Sequence, residues 1–312
     1  MTQVDYSPLD APEISMNSFY PRQGWTPPAE GVQDYTINVD DDIGLSCRFF
    51  PVGGSAPTIL FFYGNGETAI DYNSIAPLYN QIGVNIYVAD YRGYRKSGGS
   101  PSFTTMLADA SIVLEAMRIV LGASGYNGPV FVMGRSMGRH SAFELAAKDE
   151  PGINGVIIES GRPSLGQFTG GLDPQLASDF ESEYRAKAAS VSIPVLVIHG
   201  EEDALAPLEH AENMFRDFVS SNKKMVVIQA AGHNDLLFKG LDEYFTAIRD
   251  FIFCCDVIAV LMRDRPIRPL KAQRSWCPTS GLPHVFLTSI TLWRTPCSRR
   301  CMMRISGVAS SR

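Results

Sequence analysis

Two runs of alternating apolar and polar residues, 34–39 and 45–50, flank the turn-forming stretch Asp40-Asp41-Asp42-Ile43-Gly44. This pattern predicts a β-hairpin. Beyond it the rhythm changes. Short apolar runs at 58–63, 85–90 and 130–133 alternate with longer stretches, 68–82 and 103–121, whose apolar residues recur every three or four positions. The alternation continues with a helix over 137–148, strands over 155–158 and 194–198, a helix over 208–219, a strand over 225–228 and a last helix over 241–253. Apolar strands, each followed by a helix, predict an α/β fold: a mostly parallel central sheet with helices on both faces. One segment breaks the rhythm. Between Ser160 and Ile193 come four glycines (Gly161, Gly166, Gly170, Gly171) and then a helical piece over 174–189. So long an αβ connection suggests a short cap over a site, at about 161–192, with a solvated surface helix as an equal alternative. The chain shows no repeat and no low-complexity tract.

Composition narrows the class. The 312 residues are 45% hydrophobic and 19% charged, with a net charge of −6, as expected of a soluble globular protein and without the basic excess that nucleic acid would attract. The charge is uneven: residues 254–312 hold ten Lys/Arg against two Asp/Glu, leaving 17 and 31 in residues 1–253. Five of the six cysteines lie in the same terminal stretch, so the body has only Cys47 and no internal disulfide partner for it. This points to a reducing, cytoplasmic setting. The first 31 residues carry Asp5, Asp10, Glu13 and several prolines and do not resemble a secretory signal. The longest apolar stretch, 251–262, is interrupted by Asp256 and is well short of the ~20 residues a membrane span needs. The expected layout is an N-terminal extended arm over 1–30, a main domain over 31–253, and an atypical basic, cysteine-rich tail over 254–312, open to two readings, as sequence foreign to the domain or as a real basic appendage.

The chemistry centres on Gly134-Arg135-Ser136-Met137-Gly138, which matches G-x-S-x-G, a strand-to-helix turn that exposes a nucleophilic serine. The pentapeptide alone is weak evidence, with roughly 0.2 matches expected by chance in a chain of this glycine content. Its context is stronger: it follows the apolar run 129–133 and opens the helical run 141–147. The serine would then sit at a helix N-terminus, where the dipole favours developing negative charge. An unactivated hydroxyl is a poor nucleophile, so a base and an orienting carboxylate must follow. His199-Gly200-Glu201-Glu202-Asp203 and Gly232-His233-Asn234-Asp235 both lie just past strand ends. His140 would point away from the turn, His210 lies on a surface helix, His284 is in the tail, and His199 ends a strand, which leaves His233 as the base. Glu201, Glu202 and Asp203 compete as the acid; Asp203, deepest in its loop and followed by Ala204-Leu205-Ala206-Pro207, is preferred. Oxyanion donors are expected from the backbone N–H groups of Met137 and of Asn65, in Tyr63-Gly64-Asn65-Gly66-Glu67.

Together, Gly64-Asn65-Gly66-Glu67, Asp90-Tyr91-Arg92-Gly93-Tyr94, Gly134-Arg135-Ser136-Met137-Gly138, His199-Gly200-Glu201-Glu202-Asp203 and Gly232-His233-Asn234-Asp235 resemble the single-domain α/β-hydrolases of the serine aminopeptidase-like and Bem46-like type. The resemblance covers roughly residues 30–253. It implies an α/β-hydrolase fold, a Ser136–Asp203–His233 triad, Met137 and Asn65 as oxyanion donors, no metal and no cofactor. The chain departs from the family at two places: Tyr63 stands where the family often has His, and Arg95 where it often has Gly. Arg95 is expected to reshape a loop near the site. The activity implied is hydrolysis of an ester or thioester of a small acyl substrate through an acyl-enzyme on Ser136. Aminopeptidase-like amide hydrolysis is the nearest alternative, and a non-catalytic hydrolase-like scaffold the more distant one. Phe168, Leu172 and Leu236 are open to two readings, as acyl-pocket lining or as core. Cys297-x-x-x-Cys301 lacks the paired spacing of a zinc site.

Overall fold

The short apolar runs at 58–63 and 85–90 become strands because they are buried on both faces, where β-branched and aromatic side chains pack well. A computed structural model describes residues 5–263, with side-chain surroundings through residue 254. In chain order, a 3-10 turn at Ser7–Asp10 and α1 (Pro12–Ser18) precede β1 (Gln33–Asp40), β2 (Ile43–Phe50) and β3 (Thr58–Phe62). A 3-10 turn at Asp71–Asn73 leads to α2 (Ala76–Gln81), β4 (Asn85–Ala89), α3 (Phe103–Ala123) and β5 (Val130–Arg135). The short turn Ser136–Gly138 leads into α4 (Arg139–Ala147), then β6 (Ile153–Glu159), α5 (Gly166–Thr169) and α6 (Pro174–Ala189). The last elements are β7 (Val195–Gly200), α7 (Leu208–Asp217), β8 (Lys223–Ile228) and α8 (Leu236–Arg263).

The eight strands of the described residues form one sheet in the order β1-β2-β4-β3-β5-β6-β7-β8. The pairs β1/β2 and β2/β4 are antiparallel, the rest parallel. This is the α/β-hydrolase fold. The chain runs outward from β3 to β4 and returns past β3 to β5, so the order reverses between β3 and β5. Loops diverge at such a switch point and leave a crevice at the strand ends. The register sets which loops meet there: Phe62 of β3 is opposite Gly134 of β5, and Arg135 is opposite Glu159 of β6.

Three expectations are revised. The single helix predicted over 68–82 is instead a 3-10 turn followed by α2, with Pro77 in the first turn of α2; a proline there has no N–H to continue a helix from the preceding turn and clashes with the carbonyl four residues back. The last helix, predicted from 241, is preceded by a helical turn from Leu236, with Gly240 in non-helical backbone between the two. The arm expected to be extended holds a 3-10 turn and α1, and it buries Tyr6, Leu9, Ile14 and Phe19. Tyr6 packs edge-on to Phe103 at 5.3 Å between ring centroids, and Asp10 Oδ1 accepts the Thr104 N–H at 3.0 Å, which anchors this arm to the start of α3. The tail reading lies outside the described residues beyond the backbone of α8.

Candidate active site

At the end of β5 the chain must reverse into α4 within a few residues, and Ser136 absorbs the turn with φ of +49°. That left-handed conformation costs an L-residue roughly 1–2 kcal/mol, which its surroundings offset. The flanking glycines are required by close approach. A Cβ at Gly134 would lie 2.6 Å from the Gly138 carbonyl oxygen and 2.7 Å from Arg139 Cα, and one at Gly138 would overlap the Phe62 carbonyl. Since these obstacles are backbone, they cannot rotate away. Gly138→Ala is expected to lower stability by at least about 1–3 kcal/mol, read as a fall in the midpoint of a thermal melt.

His233 Nε2 is 2.8 Å from Ser136 Oγ, and His233 Nδ1 is 2.7 Å from Asp203 Oδ2. The carboxylate accepts from Nδ1–H, which assigns the tautomer and leaves Nε2 as an acceptor for the serine hydroxyl. Asp203 is itself fixed: its Oδ1 accepts the backbone N–H groups of Leu205 at 2.9 Å and Ala206 at 2.7 Å. Burial pushes the Asp203 carboxyl up, but the His233 bond and the Ala206 N–H outweigh it and hold the group below its ordinary value. Glu201 and Glu202 are exposed, and Glu201 accepts the Ala230 N–H instead. Of the three adjacent carboxylates, Asp203 is the one bonded to His233.

The other histidines lie elsewhere. His199 is fully buried and bonds the Ala206 carbonyl through Nε2 at 2.7 Å, with Asp203 Oδ2 at 3.5 Å. His140 is fully buried against Tyr184, its Nδ1 2.5 Å from the hydroxyl, and burial holds its pKa well below the usual value. His210 is exposed on α7, and His284 lies outside the described residues.

The loop after β3 closes on the serine from the other side. The Cβ position of Gly64 is 3.4 Å from Ser136 Cβ, which sets Asn65 next to the turn that begins at Ser136. Asn65's side chain is occupied: Oδ1 accepts from the Tyr94 hydroxyl at 2.8 Å and the Tyr20 N–H at 2.9 Å, and Nδ2 donates to the Ser18 carbonyl at 2.7 Å. The residue is thus held by the N-terminal arm. Met137, next to the serine, is buried at the start of its turn, where backbone N–H groups have no partner within the helix.

Tyr63 and Arg95, the two departures from the family pattern, meet at one carboxylate. Tyr63 donates its hydroxyl to Asp90 Oδ1 at 2.8 Å, and Arg95 Nε pairs with Asp90 Oδ2, all three groups being buried. Arg95 takes φ of +52°, the conformation a glycine would adopt without strain. Burial raises the Asp90 carboxyl against the opposing pull of Arg95. Arg95→Gly is expected to destabilise by about 2–4 kcal/mol: breaking a buried pair costs about 3–5, and relieving the backbone returns about 1. Removing Arg95 takes away the charge that opposes the rise of Asp90, so its folded pKa climbs further and ionising it costs more; the loss should therefore be greater at pH 8 than at pH 5 in urea titrations.

Phe168 and Leu236 are buried in the core cluster, and Leu172 packs against it. Among the described residues, no group of His, Cys, Asp or Glu could hold a metal ion. Sequence reasoning missed Arg135, the variable residue of the motif, and its partners Glu67 and Glu159, which fold back across the site. It also missed the hold of the arm on Asn65, for which no local signal exists.

Comparison with known proteins agrees with this architecture. The family described as "Serine aminopeptidase, S33" matches residues 55–165, and that described as "TAP-like protein" matches residues 177–249. Alpha/beta hydrolase domain-containing protein 17C of Mus musculus is 30% identical over 229 residues, 72% of this chain and 68% of the mouse protein. Protein bem46 of Schizosaccharomyces pombe is 28% identical over 206 residues, 64% of this chain and 68% of the yeast protein. The esterase Pf2001 of Pyrococcus furiosus superposes with a TM-score of 0.61 at 19% identity, covering 76% of this chain and 98% of the esterase, a likeness of fold. The strand order and these relatives place the chain in the α/β-hydrolase superfamily, as a member of its Bem46-like family.

Proposed function

We propose that the protein is a serine hydrolase that cleaves a carboxylic ester or thioester through an acyl-enzyme on Ser136. The observation that carries this reading is the unbroken chain of hydrogen bonds from Ser136 Oγ through His233 to Asp203. His233 Nε2 takes the hydroxyl proton as Oγ attacks the carbonyl carbon, and the backbone N–H groups of Met137 and Asn65 receive the developing oxyanion. Asp203 stabilises the imidazolium without taking its proton. Collapse of the tetrahedral intermediate expels the alcohol or thiol, which accepts the proton from His233. Water, deprotonated by His233, then releases the acid and restores the serine.

Amide hydrolysis is the second reading, favoured by the serine aminopeptidase description of the matching family. The same groups serve both reactions, and the pocket and leaving group choose between them. A panel of p-nitrophenyl esters of increasing chain length, run beside aminopeptidase substrates, decides the matter. The ester reading expects turnover of one or more esters that vanishes in Ser136→Ala; turnover of the amides alone would replace it with the second reading. The proposed domain runs over 31–253 with its cap at about 161–192. No helix among the described residues is long and apolar enough to cross a membrane. A cytoplasmic setting belongs to the same proposal and is supported by the unpaired, buried Cys47.

A further inference from the structure

Arg135 precedes the serine in sequence, yet its guanidinium turns inward and is only 14% exposed. Nε donates to Glu159 Oε1 at 3.1 Å, and Nη1 pairs with Glu67 Oε1. Nη2 donates to the His233 carbonyl at 3.3 Å and to Asn234 Oδ1 at 2.8 Å. These partners come from three different strand ends: the loop after β3, the last residue of β6, and the loop after β8. Gly64 makes the arrangement possible, since a Cβ there would lie 2.5 Å from Nη1.

The partners are held in turn. Glu67 Oε2 accepts the Tyr72 hydroxyl at 2.7 Å and the Gly64 N–H at 3.3 Å, on the loop that carries Asn65. Glu159 Oε2 accepts the Tyr244 hydroxyl at 2.7 Å, which lies 2.9 Å from the Tyr79 hydroxyl. One rigid fork therefore connects the backbone of His233, the oxyanion loop and the residue next to Ser136.

We propose that Arg135 is a positioning residue for the reaction, setting the His233 loop and the Asn65 loop against Ser136. This rests on the reading of Ser136 as the nucleophile. His233 lies in an irregular loop, and besides the Asp203 bond its backbone is held by Arg135 and by Ser160 Oγ at 3.4 Å. A base displaced by about 1 Å costs about 10²-fold in rate. Lysine would keep the charge, but a single ammonium cannot reach three separate loops in the fixed plane of the guanidinium. The charge matters as well. Burial raises the Glu159 carboxyl, and Arg135 opposes that rise. Without the guanidinium, the Glu159 carboxyl loses the charge that opposes its rise and takes up a proton more readily.

The test compares full-length wild type, Arg135→Lys and Arg135→Gln. The readouts are the rate of Ser136 phosphonylation by a fluorophosphonate, kcat and KM for p-nitrophenyl acetate across pH, and thermal midpoints. Phosphonylation rate and kcat should fall about 10²-fold in both variants, with KM nearly unchanged. Arg135→Lys should recover part of the thermal midpoint but little of the rate, which a merely structural ion pair would not separate. In Arg135→Gln, kcat should acquire a new pH dependence. Asn234→Ala, at the outer end of the fork, should show a smaller loss in the same direction and decides the matter if the Arg135 variants fail to fold. Wild-type phosphonylation and kcat in folded Arg135→Lys and Arg135→Gln, or in Asn234→Ala alone, would overturn the proposal. A wild-type protein that neither labels nor turns over ester overturns the hydrolase reading instead.

Discussion

Replacing Ser136 with alanine is expected to reduce kcat for a p-nitrophenyl ester by about 10⁵–10⁶-fold while leaving the protein folded. The two halves of this expectation have different origins. Chemically, no other hydroxyl among the described residues is bonded to His233 Nε2, so removal of Oγ removes the atom that would carry the acyl group. Structurally, alanine keeps the Cβ and sits at the same φ of +49°, so the turn and the glycine contacts around it are unchanged. The lost hydrogen bond to His233 should cost no more than about 1 kcal/mol. A melting curve beside the kinetic trace therefore separates loss of chemistry from loss of fold. A variant that unfolds, or one that retains turnover, would each contradict the assignment in a recognisable way.

Asp203→Asn is expected to cost about 10⁴-fold in kcat, with little change in KM. Asparagine fills the same space, but its amide can present an N–H to His233 Nδ1. The imidazole would then carry its proton on Nε2 and point a donor at Ser136, in the wrong sense for a base. The buried acceptor for the Leu205 and Ala206 N–H groups at 2.9 and 2.7 Å survives as the amide oxygen, so the loop should keep its shape. The substitution also changes acid stability. Asp203 is held below its ordinary pKa, so it stabilises the fold above its unfolded value of about 3.9 and this contribution disappears as pH falls through the folded value. Asp203→Asn should accordingly lose less stability than wild type on going from pH 6 to strongly acid solution, which equilibrium urea titrations can measure.

What the sequence made legible follows from how far each signal reaches along the chain. The strands of the sheet were readable because runs such as 58–63 and 85–90 are apolar on both faces, and both become fully buried strands. The helix over Pro174–Ala189 was readable in its sequence, with Pro174 in its first turn and Asp173 capping the N–H groups of Gln175 and Leu176. The arm was not, because α1 has seven residues, too few to be helical by propensity, and forms through burial of Ile14 and its neighbours. In the site, Ser136, Asp203 and His233 could be chosen because each sits just beyond a strand end, in an order fixed by topology. Arg135 could not be assigned, since its partners Glu159 and Glu67 lie 24 and 68 positions away and no pattern of polarity links them. Tyr63 and Arg95 were each noted as departures. That one buried carboxylate, Asp90, binds both is a fact of three-dimensional packing.

The most direct measurement is reaction of the full-length protein with a fluorophosphonate, followed by proteolysis and mass spectrometry of the adduct. A single phosphonylated residue, Ser136, is predicted, with labelling absent in Ser136→Ala. A folded protein whose Ser136 stays unmodified, or one that carries the label on another serine such as Ser160 near the His233 carbonyl, would contradict the account.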